Sequence, residues 1–269
     1  MNAQIPVLTC SAQELIFLAG VLGADALIGV KDPFRGWFGD ELKAAWEKTK
    51  QDLARRRLLQ EESDGRITVD TTVAALVGAA AFPTVSFILT TLSSEGEQEM
   101  YVYHVSPYRV VLQKREPQEE TYTLQQVEGP AEIQRHFQEI LAAHPREAAP
   151  VRPGFIREEV MLQGRDLASQ GKKDEVGAIL SKGGLAAETA WTLAEDMVSP
   201  LRDSAVISMK LRDNQWVIES LGILEGEQSY WLLKPTALRG EKWLRIEPAS
   251  DGAVQQAVAS LITTQLPQS

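Results

Sequence analysis

Apolar positions along this chain recur with two different periods, and the periods alternate in blocks. Leu15, Leu18, Val21 and Leu22 follow at helical spacing behind Ser11-Ala12-Gln13-Glu14, a pattern in which a hydroxyl caps the helix start and a carboxylate reaches back. Asp40 is positioned to cap a long helix through Leu59, with Leu42, Ala45, Trp46, Thr49, Leu53 and Arg56 on one side. Between the two lies an aromatic-rich loop, Gly29 to Gly39, carrying Pro33, Phe34, Trp37 and Phe38. A turn at Ser63-Asp64-Gly65 leads through Ile67 and Val69 into an alanine-rich helix from about Asp70 to Ala81. Helix, turn, extended segment and helix together resemble half of a winged-helix unit. After Pro83 the period drops to two. Val85, Phe87 and Leu89 alternate with Ser86, Ile88 and Thr90, and Ser93 to Gln98 reads as a hairpin loop. Met100 to Val105, Tyr108 to Lys114 and Tyr122 to Val127 are further strands, rich in aromatic and β-branched residues. Pro130 then opens a helix with Ile133, Phe137, Ile140 and Leu141 on its apolar face.

The second half repeats this grammar. Helices are expected around Arg157 to Ser169, Asp174 to Ser181 and Leu185 to Val198, with Gly183-Gly184 as a turn. Strands follow at Ala205 to Leu211, Trp216 to Leu224, Tyr230 to Leu233 and Trp243 to Glu247, and a closing helix carries Val254, Val258, Leu261 and Ile262. Residues 85–141 and 204–262 thus read as the same ββββα unit, each behind a block of helices and a proline, Pro83 or Pro200. Strands joined by short turns imply antiparallel meanders, because parallel pairing needs a longer crossover. The expectation is an α+β protein: two helices-then-ββββα units in pseudo-twofold relation, the sheet covered by helices. The boundaries are a first half at 1–143, a proline-rich linker at 144–154 and a second half at 155–269, forming one compact fold.

Strand patterns also predict exposure. Ala205, Ile207, Met209 and Leu211 alternate with Ser208, Lys210 and Arg212, as expected of a sheet with one wet face. Tyr230-Trp231-Leu232-Leu233 does not alternate, so both of its faces should be covered. Trp243 and Arg245 sit opposite the core pair Leu244 and Ile246, which sends Trp243 beneath a helix or into a partner. Aromatic and arginine anchors are what protein interfaces use at their centres. Trp243 and Arg245, with Trp216 and Trp231 as weaker companions, are therefore the candidate partner-binding residues.

Composition narrows the function classes. With 27 basic and 37 acidic residues the net charge is −10, whereas a nucleic-acid binder usually shows a basic field. The densest basic cluster, Arg55-Arg56-Arg57, precedes Gln60-Glu61-Glu62 and reads as a helix C-terminus, where cations are favoured. The first basic residue is Lys31, so no secretory n-region is expected. The apolar stretch Leu15 to Ala24 is shorter than the ~18 residues a membrane span needs. One cysteine, Cys10, excludes an intrachain disulfide and a cysteine-rich zinc site. A protein of a reducing cytoplasm fits, with neither nucleic acid nor membrane as its partner.

Catalytic signatures are missing. His104, His136 and His144 are the only histidines, without the HxxxH spacing that places two imidazoles on one metal. Each reads as structural or surface, and together with Cys10 they should be dispensable. Ser169-Gln170-Gly171-Lys172 fits SxxK but lacks the partner motifs of serine acylases. No nucleophile elbow, Walker loop or dinucleotide fingerprint occurs, so no catalytic, cofactor-binding or metal-ligating residue is assigned.

The early Glu14-Leu15 helix, the helix ending Leu53-Ala54-Arg55-Arg56-Arg57-Leu58-Leu59, the turn Asp64-Gly65-Arg66 and the helix reaching Pro83 form a layout that resembles the EspG family. Trp243-Leu244-Arg245-Ile246-Glu247-Pro248-Ala249 before a closing helix is the most family-like stretch. These are cytosolic chaperones associated with type VII secretion. The resemblance implies a pseudo-twofold α+β fold with a shared sheet, and binding of helical secretion substrates whose apolar tips are shielded. The chain departs from the family in its tryptophans and its aromatic loop, and no binding residue transfers. The leading expectation is a non-catalytic protein-binding scaffold or chaperone. A small-molecule-binding or sensory domain, with a pocket at the seam of the halves, and a transcriptional regulator using the helix–turn–helix-like pieces at 53–81 and 176–198 remain open.

Overall fold

The computed structural model describes residues 6–116, 120–142, 144–213, 215–227, 229–238 and 240–266, which build an α+β protein of helices and a large antiparallel sheet. Two compact units result. One comprises the chain up to residue 88 with 100–133 and 210–215; the other comprises 89–99, 134–209 and the chain from 216 onward. Helices α1 (Ala12–Val21), α2 (Gly39–Arg55) and α3 (Thr71–Ala81) precede strands β4 (Val85–Ser93), β5 (Gln98–Val105), β6 (Val110–Glu116) and β7 (Thr121–Val127), then α4 (Pro130–Leu141). Helices α5 (Glu158–Ser169), α6 (Lys173–Lys182) and α7 (Ala187–Val198) precede β9 (Arg202–Arg212), β10 (Gln215–Glu225), β11 (Tyr230–Leu238) and β12 (Glu241–Ala249), then α8 (Asp251–Gln265). Each set has a leading strand the sequence did not announce: β1 (Val7–Ser11) and β8 (Gly154–Arg157). Neighbours run β1-β7-β6-β5-β4 in one set and β8-β12-β11-β10-β9 in the other. In both, the leading strand pairs antiparallel with the last strand of the following meander.

In the first unit the capping box forms as expected. Glu14 N–H donates to Ser11 Oγ at 3.2 Å, and Ser11 N–H donates to the Glu14 carboxylate at 2.8 Å. The long helix departs from expectation at both ends. Phe38 is its N-cap, with Phe38 N–H donating to Glu41, and Asp40 lies inside the first turn. The helix stops at Arg55 because Arg57 turns left-handed at φ 59°, while Arg57 and Leu58 N–H return to the carbonyls of Ala54 and Leu53. Leu59 consequently opens a short hairpin, β2 (Leu59–Glu61) with β3 (Ile67–Val69). Asp70 then caps α3 through Thr72 and Val73 N–H. Arg56 is no loose helix-end cation. Its guanidinium donates to Thr9 carbonyl at 2.6 Å and to Glu14 at 2.7 Å. Thr9 carbonyl and Ser11 N–H are backbone groups of β1 satisfied by side chains, which blunts a strand edge that invites foreign pairing.

Leu15, Phe17, Leu18, Leu53, Leu76, Val77, Val111 and Leu124 form the apolar core of this unit. A polar thread runs beside it, His104 pairing with Val111 and Gln113 with Leu124. Wholly buried His104 contacts Ser86 Oγ at 3.1 Å and Gln113 Oε1 at 3.3 Å, and Gln113 donates in turn to Ile28 carbonyl. The Gln113 oxygen can only accept, so Nε2 of His104 carries the proton and Nδ1 accepts from Ser86. Burial pushes the His104 pKa down from 6.5 to about 4. Below 6.5 the unfolded chain therefore takes up a proton that the native imidazole refuses until about pH 4. Stability must fall with pH across that window, by about 3 kcal/mol in all. Urea unfolding at several pH values checks this: the stability advantage of wild type over His104→Gln should shrink between pH 7 and pH 4. A gap that stays constant would mean the imidazole protonates freely in the native state. His104 is thus committed to Ser86 and Gln113 inside the unit, and its replacement is expected to cost stability.

In the second unit Val176, Leu180, Ala190, Leu193, Ala194, Trp231 and Ile246 build the core. Helices α6 and α7 pack so closely that a Cβ at Gly177 would lie 2.3 Å from the Trp191 ring. The stretch read as a linker is strapped down. His144 and Arg146 bind Glu225, Thr189 Oγ donates to Arg152 carbonyl at 2.9 Å, and Ala149 and Val151 pack on the core. On β9 the face assignment is reversed. Ser204, Val206 and Ser208 are buried, whereas Ala205, Ile207 and Met209 are half-exposed and Leu211 is exposed. Alternation reported where the larger side chains stand; it did not report which face is covered, and small serines can be buried completely.

Candidate partner-binding surface

The outer ends of β10 and β11 in the second unit carry exposed apolar side chains. Aromatic and β-branched residues make these strands, but their polarity changes along the strand rather than across it. On β10 Leu221, Ile223 and Leu224 are buried, whereas Trp216, Val217 and Ile218 are 43%, 36% and 59% exposed. On β11 Tyr230 to Leu233 are buried on both faces, as expected, and Leu238 at the far end is exposed. Successive strand residues point to opposite faces, so Trp216 and Ile218 share one side of β10 and Val217 takes the other.

Each sequence-selected anchor now has a place. Trp243 is half-buried on β12, opposite Thr236 of β11 and Arg157 of β8. Its neighbours on the strand, Leu244 and Ile246, do face the core, Ile246 completely. Arg245 is exposed, but its Nε lies 2.5 Å from Glu247 Oε1, and Lys234 holds the other carboxylate oxygen at 2.7 Å. Its charge is thereby spent within the sheet. Trp231 is wholly buried and its indole donates to Asp196 Oδ2 at 2.7 Å. It is a core residue and is withdrawn as an anchor: both faces of β11 are covered there, which leaves no outward side. Trp216 stays exposed. Val217 and Ile218 are exposed apolar residues beside it that the sequence did not single out.

The remaining chemical groups are committed elsewhere. Cys10 is buried opposite Tyr122, and burial, reinforced by Glu14, pushes its thiol up to about 12, which leaves it unreactive. Ser169 Oγ donates to Asp166 carbonyl at 2.7 Å, inside its own helix. Among the described residues no group of three or more histidine, cysteine or acidic side chains could hold a metal ion. No helix among them is long and apolar enough to cross a membrane.

No family model and no curated protein matches this chain. Among solved structures it is similar to the type VII secretion system chaperone EspG5 of Mycobacterium tuberculosis, determined in complex with a PE25-PPE41 dimer. The two align over 97% of each chain at 18% identity, with a TM-score of 0.66. At that identity the likeness is one of fold, and it extends over the whole chain.

Proposed function

We propose that this protein is a non-catalytic, cytosolic chaperone-like scaffold that holds another protein, a helical secretion substrate, through the apolar outer ends of β10 and β11. The observation that carries the reading is the uncovered run Trp216-Val217-Ile218. Three large apolar groups in succession on a strand are costly to leave in water, and burying one contributes roughly 1.5–3 kcal/mol. Trp216 and Ile218, on one face, would supply part of the roughly 8 kcal/mol of a micromolar complex, the contacts around them meeting the rest and the cost of association. Whole-chain likeness to a chaperone supports the class of partner by analogy of fold. The matching element order and strand order of the two sets support an internal duplication, with Trp243 at the rim of the surface and Arg245 beside it.

A photo-crosslinking residue at Trp216, introduced in the source cell, should trap one protein rich in helix. Ile218→Glu should weaken that capture by about tenfold or more while unfolding shifts by less than about 0.5 kcal/mol, as for other exposed positions. Undiminished capture by Ile218→Glu, or crosslinks to nucleic acid alone, would overturn the assignment.

A further inference from the structure

The second unit also contains a groove with a larger, more apolar part and a smaller part that carries more polar side chains. The larger part, of about 360 Å³, is lined mainly by Leu92, Met161, Ala168, Met197, Val198 and Leu224, with Ser93 and Ser169 beside them. A neighbouring part of about 210 Å³ is lined by Thr90, Thr91, Gln98 and Ser204 together with Ala205 and Gly222. Leu92, Arg165 and Asp203 belong to both. Ligand sites in proteins occupy about 300–1,000 Å³ and combine apolar walls with a few polar groups that fix orientation. Two thioethers, Met161 and Met197, let the apolar wall adapt its shape.

The ion pair at the junction decides what head group fits. Arg165 Nη1 and Nη2 reach Asp203 Oδ2 and Oδ1 at 3.1 and 3.2 Å, a two-pronged pair with no net charge. An anionic head would meet the Asp203 carboxylate and compete for a guanidinium already engaged. A cationic head would meet Arg165. A hydroxyl or amide can donate to one member and accept from the other, and Thr90, Thr91, Gln98 and Ser204 add further uncharged hydrogen-bonding groups.

We propose that this groove binds a small neutral amphiphile, its apolar body against Met161, Met197 and Leu224 and its hydroxyl- or amide-bearing head at Arg165 and Asp203. This site is separate from the strand ends proposed to hold a protein, so either can fail without the other. Calorimetric titration with three probes of one tail length tests it: glycerol monodecanoate, decanoate and decyltrimethylammonium, each below its micelle concentration. The neutral probe should bind one molecule per chain, and the charged probes about tenfold more weakly or less. Ala168→Phe, which fills the apolar part, should abolish binding. Leu92→Trp, at an exposed position of the shared wall, should weaken it about tenfold and keeps the test available if the larger core change does not fold. No saturable binding, equal affinity for all three head groups, or unchanged binding by a folded Leu92→Trp would each overturn the proposal.

Discussion

Trp231→Ala is expected to destabilise the protein by about 3–5 kcal/mol, the range for removing a buried aromatic ring. The ring is wholly buried, opposite Leu224 on β10 and Pro248 on β12, and packs into the core of the second unit. Its loss leaves a cavity and also removes the indole donor of Asp196. Burial already pushes the Asp196 pKa up, and the Trp231 hydrogen bond is the main force holding it down. On one side the carboxylate lies against Gly226, where a Cβ would come within 2.1 Å of Asp196 Oδ1. Trp231→Phe keeps most of the volume and loses only the donor, so it should cost less, about 1–3 kcal/mol. Urea unfolding followed by circular dichroism measures both. An unfolding midpoint unmoved by Trp231→Ala would place the ring outside the core and restore it as a surface anchor.

The case of Trp231 shows where a sequence is legible and where it is not. Four consecutive large residues without alternation, Tyr230 to Leu233, announced a segment covered on both faces, and it is. That same property removes Trp231 from any surface, an inference available from the pattern alone. The meanders were readable because each strand is bounded by its own turn, and the helices because Ser11, Asp70 and Pro130 mark their starts in local chemistry. β1 and β8 have no such marks. Val7 pairs with Gln125, and Trp243 pairs with Arg157. Four or five residues are too few to establish a period, and their partners lie far along the chain. The end of α2 was hidden for a similar reason. Arg55-Arg56-Arg57-Leu58-Leu59 has good helix propensity, but Arg56 reaches β1 and Glu14, and the chain turns at Arg57. A tertiary contact overrides propensity there.

The partner surface was half legible. Periodicity picks out which residues share a strand face, but it cannot tell where the strand outruns its cover. Val217 and Ile218 are not singled out by the sequence, because Trp216 to Leu224 reads only as one strand with no mark of where its cover ends. Length held the missing signal: β10 spans 11 residues, about twice the usual strand. A strand that long, starting with three large apolar residues beside a hairpin turn, should be suspected of projecting beyond the core. Trp243 shows the same limit from the other side. Its face was assigned correctly, yet its half-burial between Thr236 and Arg157 depends on β8, the strand the sequence did not reveal.

Glu225→Ala is expected to cost about 3 kcal/mol, because it leaves the largely buried Arg146 without its counter-charge. The Glu225 side chain is 4% exposed. Arg146 Nη2 lies 3.2 Å from Oε1, His144 Nδ1 lies 2.9 Å from the same oxygen, and Arg202 Nε lies 3.9 Å from Oε2. Each arginine is fixed further by a backbone carbonyl, Arg146 by that of Glu227 and Arg202 by that of Ile140. Tyr230 completes the site: its hydroxyl donates to His144 carbonyl at 3.1 Å, and its ring lies 5.7 Å from the Arg146 guanidinium. The strap at 144–153 is therefore held by the Glu225 carboxylate together with Thr189 and the packing of Ala149 and Val151, and Arg146, whose side chain is only 12% exposed, has little water to replace that partner. His144 is largely exposed, so His144→Ala should cost less than about 1 kcal/mol. Glu225→Gln retains an acceptor for Arg146 and should fall between the two. Chemical unfolding ranks the three variants, and limited proteolysis locates the damage: Glu225→Ala should expose cleavage within 144–153 at denaturant concentrations where wild type is still protected. Equal stability of Glu225→Ala and His144→Ala would show that the arginines are solvated and that the strap is held by Ala149 and Val151 instead.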